Sequence, residues 1–340
     1  MRVVVVGTDG PVGRAILETL ADDKWISHVV SLRRPRGAVS WRDSLDIEQP
    51  EVELTDDLAE WFRFADAVIY AGWPISCFGD SSQADHLPML ENVCRGIVAA
   101  DVHTFIYGSS VGVYSPAYGA DAVGEDWATS GLRYSRLSQQ MAQNEQFVEQ
   151  FAASHPIVRV VSLRAAVTIA PSEPPSPFER WGLAALGRKL VSAITTGAHI
   201  RLVPDTGQRL FQIVHERDLA NAFCKALTGS VVGAFNIASE PFSSDLVVQS
   251  FDARGVPVSP SLCSQIFSLS RRLGLHSLDS GWLDIALKSP VLNTTRAAEE
   301  LGWNSQYSAA SVLEDLARTL TCDSTKSKSR KEAALVSQPS

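Results

Sequence analysis

The chain opens with a strand, a glycine turn and a helix in direct succession. Residues 1–22 read MRVVVVGTDGPVGRAILETLAD. The unbroken valines predict a strand that is buried on both faces, as in a parallel sheet. The apolar residues after Pro11 recur at helical spacing and predict an amphipathic helix. Because a glycine turn joins the two, the first residues constrain the chain to begin with a βα unit.

The alternation of predicted strands and helices continues to about residue 170. Further buried strands are predicted at HVVSL, DAVIYAG, HTFIYGSS and IVRVVSLRAA, with helices over residues 91–102 and 133–155 between them. Strands that alternate with helices predict a parallel sheet covered on both faces. The predicted fold class is therefore α/β, with a Rossmann-type doubly wound sheet.

The regular pattern ends at the proline-rich stretch APSEPPSPFER, residues 170–180. We therefore expect a dinucleotide-binding domain over residues 1–170, to which segments of about 205–240 and 290–320 return. Residues 171–204 and 241–289 are expected to form a smaller, interleaved C-terminal region that binds substrate. The polar residues 323–340 have the composition of a disordered tail.

Composition excludes several classes of function. A formal charge of −8 argues against a nucleic-acid binder, and no apolar run reaches the roughly 20 residues of a membrane span. The five cysteines are scattered and odd in number, and the seven histidines lack ligand spacing, so neither a disulfide framework nor a metal site is predicted. With no signal-peptide pattern at the start, we expect a cytoplasmic protein.

The glycine turn predicts a dinucleotide site. Gly7, Gly10 and Gly13 have GxxGxxG spacing, and Asp9, Pro11 and Val12 complete the turn. Glycines let the backbone turn tightly and approach a pyrophosphate, which the amino end of the following helix attracts. The position of this turn, between a strand and a helix, is the one that such a site requires.

The end of the second strand predicts which dinucleotide is bound. An NAD site places an acidic residue there to bind the ribose 2′-hydroxyl. This chain has Arg33 and Arg34 instead. Guanidinium groups bind phosphate through charge and paired donors. NADP(H) is therefore the predicted cofactor, in preference to NAD.

Several further stretches carry a family resemblance. SLDIEQ, DAVIYAGWP, ENVCRGIVAA, TFIYGSSVGVYS, FQIVHERDLANAF and VLNTTRAAEELGW occur in the order of the extended short-chain dehydrogenase/reductase family, which includes NAD-dependent epimerases and dehydratases. The resemblance covers roughly residues 1–320. It implies that Asp46 contacts the adenine and that Ala71 and Gly72 pass close to the cofactor.

The resemblance also implies catalytic positions. Ser110 would hold the substrate oxygen, Tyr134 would exchange a proton with it, and Asn92 would support the site. The family places a lysine four residues after the tyrosine, where its charge lowers the tyrosine pKa. This chain has Ser138 there, which can bind a ribose hydroxyl but carries no charge.

Aromatic residues dominate the segments expected to line the substrate cleft. Trp73, Tyr114, Phe178 and Trp181 suit a flat, apolar small molecule, and Arg209 lies where it can reach a polar substrate group. The sequence thus favours an NADPH-dependent ketoreductase acting on a bulky, polyketide-like carbonyl compound in natural-product (antibiotic) tailoring. The proton would come from Tyr134, water or a substrate hydroxyl.

Two other functions remain open at this stage. A nucleotide-sugar epimerase or dehydratase follows from the resemblance, although no acidic residue follows Ser110 in SSVGVY. A non-catalytic NADP(H)-binding sensor follows from the missing lysine. In each case the expected partner is a small molecule, and the protein is expected to be a monomer or a homodimer.

Overall fold

The structure is a computed structural model. It describes residues 1–8, 10–33, 47–53, 56–71, 87–117, 122–171, 202–205, 207, 209–259, 262, 265 and 280–319, of which 202–204 and 280–283 are described by their backbone alone. The expected tail and most of the expected substrate-binding region lie outside these residues, so the two-region division stays a prediction.

Eleven strands are found in the described part of the chain. They are β1 (Arg2–Val6), β2 (His28–Leu32), β3 (Ile47–Glu48), β4 (Ala67–Tyr70), β5 (Thr104–Ser110), β6 (Arg159–Ala165), β7 (Val167–Ile169), β8 (Leu202–Asp205), β9 (Ile213–His215), β10 (Gly233–Ile237) and β11 (Arg254–Pro257).

The same residues contain nine helices, apart from the isolated helical residues Leu262 and Gln265. They are α1 (Pro11–Ala21), α2 (Ala59–Phe62), α3 (Leu87–Ala99), α4 (Arg136–Ser154), α5 (Glu216–Thr228), α6 (Ser244–Ser250), α7 (Ser280–Lys288), α8 (Thr295–Glu299) and α9 (309–319). A single 3₁₀ turn, Val111–Val113, follows β5.

Seven parallel strands form the main sheet, in the order β10-β6-β5-β4-β1-β2-β3. The order reverses beside β1, whose neighbours are β2 and β4. In open α/β sheets, ligands bind where the strand order reverses, beyond the carboxyl ends of the strands. The predicted α/β, Rossmann-type doubly wound fold is confirmed, and it places the glycine turn after β1 at this position.

Two hydrophobic cores cover the two faces of the sheet. On one face α1 and α5 pack through residues such as Leu20 and Phe223, and on the other α3 packs through Leu90 and Ile97. The valines of β1 are at most 2% exposed, as a strand covered on both faces requires.

The C-terminal segment is fastened to the amino end of α5. The carboxylate of Asp218 accepts hydrogen bonds from the backbone N–H groups of Gln306 and Tyr307 and from the Ser305 hydroxyl. The Tyr307 ring stacks on His215 at 3.9 Å between centroids. These contacts hold α9 against the cluster formed by β7, β9 and Phe242.

No helix in the described residues is long and apolar enough to cross a membrane. Within the same ranges, no group of three or more His, Cys, Asp and Glu side chains is arranged to hold a metal ion.

Candidate functional site

The three glycines of the first turn differ in whether the backbone and its packing require glycine. Gly7 has a φ of 86°, which favours glycine. A Cβ atom on Gly13 would lie 2.4 Å from the Cα atom of Thr8, so α1 can approach β1 only with glycine there. A Cβ atom on Gly10 would meet nothing within 4 Å. The strand side of the turn is therefore closely packed, and the outer side is open at Gly10.

The amino end of α1 is suited to an anion. Gly10 is the N-cap residue, and no side chain caps the helix there. Pro11 occupies the first helical position, where its missing N–H is not needed. Val12 is buried and anchors the turn. The remaining N–H groups of the first turn and the helix dipole are therefore directed at the open side of Gly10, as pyrophosphate binding requires.

Arg33 follows β2 directly beside the glycine turn. The backbone N–H of Gly7 donates to the carbonyl oxygen of Leu32 at 3.3 Å, which makes Arg33 the next residue along the edge of the site. Its Nη2 atom lies 3.8 Å from Oε1 of Glu51. The hydroxyl groups of Thr8, in the glycine turn, and Ser31, on β2, share a buried hydrogen bond of 2.7 Å.

Ala71 closes the other side of the turn. Its backbone N–H donates to the carbonyl oxygen of Val6 at 2.9 Å, and its side chain is buried.

Asn92, on α3, is also buried. Its Nδ2 atom donates to the carbonyl oxygen of Asp56 at 2.9 Å, and its Oδ1 atom accepts from Arg95. These contacts join α3 to the segment before α2.

Ser110 ends β5 and is half-buried. Its Oγ atom accepts a hydrogen bond from the backbone N–H of Gly112 at 3.2 Å, which caps the 3₁₀ turn Val111–Val113. A hydroxyl that accepts one hydrogen bond retains its proton and a second lone pair. Ser110 is thus placed at the carboxyl edge of the sheet with donor capacity for a ligand.

The predicted helix over residues 133–155 would include both Tyr134 and Ser138, and this prediction is wrong at its start. Helix α4 begins at Arg136, with Ser135 as its N-cap. Tyr134 therefore precedes the helix, and it is 86% exposed, with Cζ of Arg133 lying 5.6 Å from the centre of its ring. The Ser135 hydroxyl accepts from the Ser138 N–H, and this cap fixes where the helix starts.

Ser138 also cannot offer its hydroxyl to a ribose as expected. The side chain is fully buried. Its Oγ atom donates to the carbonyl oxygen of Gly112 and accepts from the backbone N–H of Leu132 at 2.7 Å. The hydroxyl therefore fastens α4 to the turn after Ser110.

Two apolar residues of α4 lie towards that turn. Leu137 and Met141 are both buried, and they belong to one cluster with Val111, Val113 and Ile285. A Cβ atom on Gly112 would lie 2.4 Å from Sδ of Met141. Leu137 and Met141, an i, i+4 pair, thus pack with the turn after Ser110 on the same side of α4 as Ser138, and neither carries a proton to exchange.

The rotation of α4 about its axis is fixed one turn later. Glu145 lies four residues after Met141, on the same face of α4. Its Oε1 atom accepts a hydrogen bond from Nε of Arg164 on β6 at 2.8 Å, and both side chains are at most 3% exposed. Glu149 takes a second donor of Arg164 at 3.1 Å. This pair aligns residues 137, 141 and 145 with the sheet.

Tyr114 does not line a substrate cleft as the sequence suggested. The residue is fully buried. Its hydroxyl donates to Oδ1 of Asn236 at 2.7 Å and accepts from Nη1 of Arg164 at 3.1 Å. Burial raises the pKa of Tyr114 to about 12 and outweighs the lowering by Arg164, so the hydroxyl stays protonated. It is a link in the buried network of Arg164.

Arg209 is half-buried on the loop before β9. Its Nη2 atom reaches the carbonyl oxygen of Ser289 at 3.5 Å, at the limit of a hydrogen bond. Across the described ranges no carboxylate pairs with it. Burial lowers the pKa of Arg209 from its ordinary value. A half-buried guanidinium in this state is suited to an anionic ligand.

The other predicted site residues fall outside the described ranges. They are Asp9, Arg34, Asp46, Gly72, Trp73, Phe178 and Trp181.

A seven-stranded parallel sheet in this order, with a glycine turn at the amino end of α1, defines a Rossmann-type dinucleotide-binding protein. Residues 3–238 match the model of the NAD dependent epimerase/dehydratase family, and the chain belongs to this family. This finding confirms the family resemblance seen in the motifs. The family binds a nicotinamide cofactor, and the turn at Gly7, Gly10 and Gly13 fits one.

Solved structures agree on the fold. The crystal structure of gox2253 superposes with a TM-score of 0.72 at 17% identity, covering 94% of this chain and 98% of that one. UDP-glucose 4-epimerase from Thermotoga maritima, solved with UDP-glucose, has a TM-score of 0.68 at 16% identity, covering 95% and 99%. dTDP-glucose 4,6-dehydratase from Bacillus anthracis, solved with NAD, has a TM-score of 0.68 at 13% identity, covering 96% and 98%. No curated protein matches the chain.

Sequence reasoning missed three features of the site. Glu51 lies on a short polar stretch with no motif, and only its pairing with Arg33 brings it to the site. The apolar pair Leu137 and Met141 reads as ordinary core spacing. Ser135 does carry a usable signal, because a serine that precedes an apolar-periodic run is a frequent N-cap.

Proposed function

We propose that this protein is a nicotinamide-dinucleotide-dependent enzyme of the epimerase/dehydratase type, whose substrate is a small molecule bearing an anionic group, of the nucleotide-sugar class. The observation that carries the proposal is the juxtaposition of an open dinucleotide turn at Gly10 with the half-buried hydroxyl of Ser110, both at the carboxyl edge of one parallel sheet.

The cofactor would be held by the turn Gly7–Gly13 and by Arg33. A bound nicotinamide accepts or supplies a hydride at a hydroxyl or carbonyl carbon. Ser110 would hold the oxygen on that carbon through its remaining hydrogen-bonding capacity. We further propose that NADP(H) is preferred over NAD; the support is that Arg33, rather than an acidic residue, directly follows β2 beside the glycine turn, where a guanidinium could bind a 2′-phosphate.

Arg209 supports an anionic substrate. A half-buried guanidinium with only a 3.5 Å contact to a carbonyl oxygen gains most from a phosphate, which accepts two parallel hydrogen bonds. This favours a sugar diphosphate over the apolar aromatic compound suggested by the sequence. Of the four aromatic residues predicted to line the substrate cleft, Tyr114 is the one that lies in the described ranges. It is enclosed in the core and gives the ketoreductase hypothesis no support.

Proton transfer in this protein would not rely on a lysine-assisted tyrosine. Leu137 and Met141 occupy the face of α4 that packs on the turn after Ser110, and Tyr134 is largely in solvent. We propose that the proton comes from the substrate, from water or from a residue outside the described ranges.

The same observation favours a second candidate, a protein that binds the dinucleotide without turnover. An apolar pair beside the reacting centre would suit a sensor that retains its cofactor. Dinucleotide binding is common to both candidates, so turnover decides between them.

The test combines binding with conversion. Titration with NADPH and NADH by fluorescence measures cofactor affinity, and NMR of mixtures with UDP-glucose, UDP-glucuronic acid and dTDP-glucose measures conversion. The enzyme proposal predicts conversion of at least one sugar nucleotide and its loss in Ser110→Ala. Ser109→Ala is the matched control, because that hydroxyl is buried on the same strand and lacks a hydrogen-bond partner in the described residues.

Tight NADPH binding without conversion of any sugar nucleotide or ketone would favour the sensor. Conversion of aromatic ketones alone, followed at 340 nm, would restore the ketoreductase hypothesis. Arg209→Ala should raise KM for the sugar nucleotide about ten-fold or more, with Arg209→Lys between it and the wild type.

A further inference from the structure

Two oppositely charged side chains are fixed beside each other at the edge of the cofactor turn. The backbone N–H of Arg33 donates to the carbonyl oxygen of Pro50 at 3.1 Å, and the N–H of Val52 donates to the carbonyl oxygen of Arg33 at 2.8 Å. Arg33 and Glu51 consequently form an isolated parallel bridge just beyond β2 and β3. The backbone pairing of these two residues therefore places the Glu51 carboxylate near the Arg33 guanidinium.

The ion pair itself is incomplete. Nη2 of Arg33 lies 3.8 Å from Oε1 of Glu51, which is too long for a hydrogen bond. Nε of Arg33 is buried and has no hydrogen-bond partner among the described residues. The Arg33 side chain is 16% exposed and that of Glu51 is 55% exposed. Glu51 is therefore close enough to attract the Arg33 guanidinium electrostatically but does not accept a hydrogen bond from its Nη2 atom.

The two side chains favour different dinucleotides. A 2′-phosphate carries about −1.5 to −2 charges near pH 7, so Arg33 attracts it and Glu51 repels it. A ribose 2′-hydroxyl can donate to a carboxylate such as Glu51. Because the carbonyl oxygen of Leu32 accepts a hydrogen bond from the N–H of Gly7, both groups lie next to the side of the turn where the adenosine ribose would be bound.

We propose that Glu51 is a specificity-determining residue: it competes with the 2′-phosphate for Arg33, and so reduces the preference for NADP(H) that Arg33 alone would produce. The inference rests on the proposed binding of a nicotinamide dinucleotide. On this proposal, Arg33 and Glu51, which follow β2 and β3, together determine the discrimination between NADP(H) and NAD(H).

The test is the ratio of NADPH to NADH affinity in the full chain, measured by fluorescence titration at fixed ionic strength. Glu51→Gln should strengthen NADPH binding about ten-fold and leave NADH binding unchanged or weaker. Arg33→Gln should shift the ratio the opposite way. Melting temperatures of both variants confirm that they are folded.

Glu48→Gln is the matched control. Glu48 lies on β3 and pairs with His28 at 3.6 Å, three residues before Glu51, so its loss removes the same charge away from the site. If Glu48→Gln and Glu51→Gln alter the ratio equally, or if Glu51→Gln leaves it unchanged, the role of Glu51 is refuted while dinucleotide binding stands. If the wild type binds neither dinucleotide, the proposed function fails together with the inference.

Discussion

Arg164 on β6 and Glu145 on α4 form a buried ion pair, with Nε of the arginine 2.8 Å from Oε1 of the glutamate. The hydroxyl of Tyr114 and the backbone carbonyl of Glu125 satisfy further donors of Arg164. This pair connects the long helix to the sheet at the level of the Ser110 turn, and it thereby determines which residues of α4 face the site.

Loss of this buried carboxylate should be costly. Glu145→Gln is expected to lower the free energy of unfolding by about 3 kcal/mol, because the buried guanidinium then has only the partly exposed carboxylate of Glu149 to balance its charge. Glu149→Gln, which removes a carboxylate that is 54% exposed from the same arginine, should cost less than about 1 kcal/mol. Urea denaturation measures both, and equal losses would contradict a dominant role for Glu145.

Gly10 and Gly13 should respond differently to alanine. Gly13→Ala is expected to destabilise the fold by about 3 kcal/mol, because its Cβ atom would overlap the backbone of Thr8. Gly10→Ala should change stability by less than about 1 kcal/mol yet weaken NADPH binding at least ten-fold, since the methyl group would occupy the open side of the turn. Unaltered NADPH affinity in a folded Gly10→Ala variant would argue against pyrophosphate binding there.

Ser138 should behave as a structural residue. Ser138→Ala is expected to cost about 1–3 kcal/mol, because the Gly112 carbonyl and the Leu132 N–H lose a buried partner. NADPH affinity should stay within about two-fold of the wild type. Ser138→Lys should fail to create a tyrosine-lysine pair and should lower the melting temperature further. A gain of turnover in Ser138→Lys would show that the side chain reaches the site.

Stability should decrease in mild acid through His215. Its Nδ1 atom accepts a hydrogen bond from the N–H of Arg217 and caps α5, and burial lowers its pKa. A folded pKa below the unfolded value of about 6.5 means that the contribution is present above pH 6.5 and is lost as pH falls through the folded pKa.

Urea denaturation between pH 8 and pH 5 tests this prediction. His215→Asn retains a capping side chain but does not titrate, so its stability should vary less with pH over this range. A slope equal to that of the wild type would assign the acid sensitivity to other groups.

The elements that could be predicted are those set by local sequence. The valine run of β1, Pro11 at the first helical position and the glycine spacing each act within a few residues, and the structure has the strand, turn and helix where they were expected. Arg33 is also at the predicted strand end. Its partner Glu51 was not predictable, because the pairing of β2 with the segment after β3 brings together residues 18 positions apart along the chain.

The sequence by itself determined the fold class and the position of the dinucleotide turn, because hydrophobic periodicity and glycine geometry are local properties of the chain. Only the tertiary structure decided which residues of α4 approach Ser110. A helix can rotate about its axis without any change in its local hydrogen bonds, and this rotation is fixed by the Arg164–Glu145 pair and by the contact of Ser138 with Gly112. Tyr134 is consequently left outside the helix, and the apolar residues Leu137 and Met141 pack on the turn after Ser110.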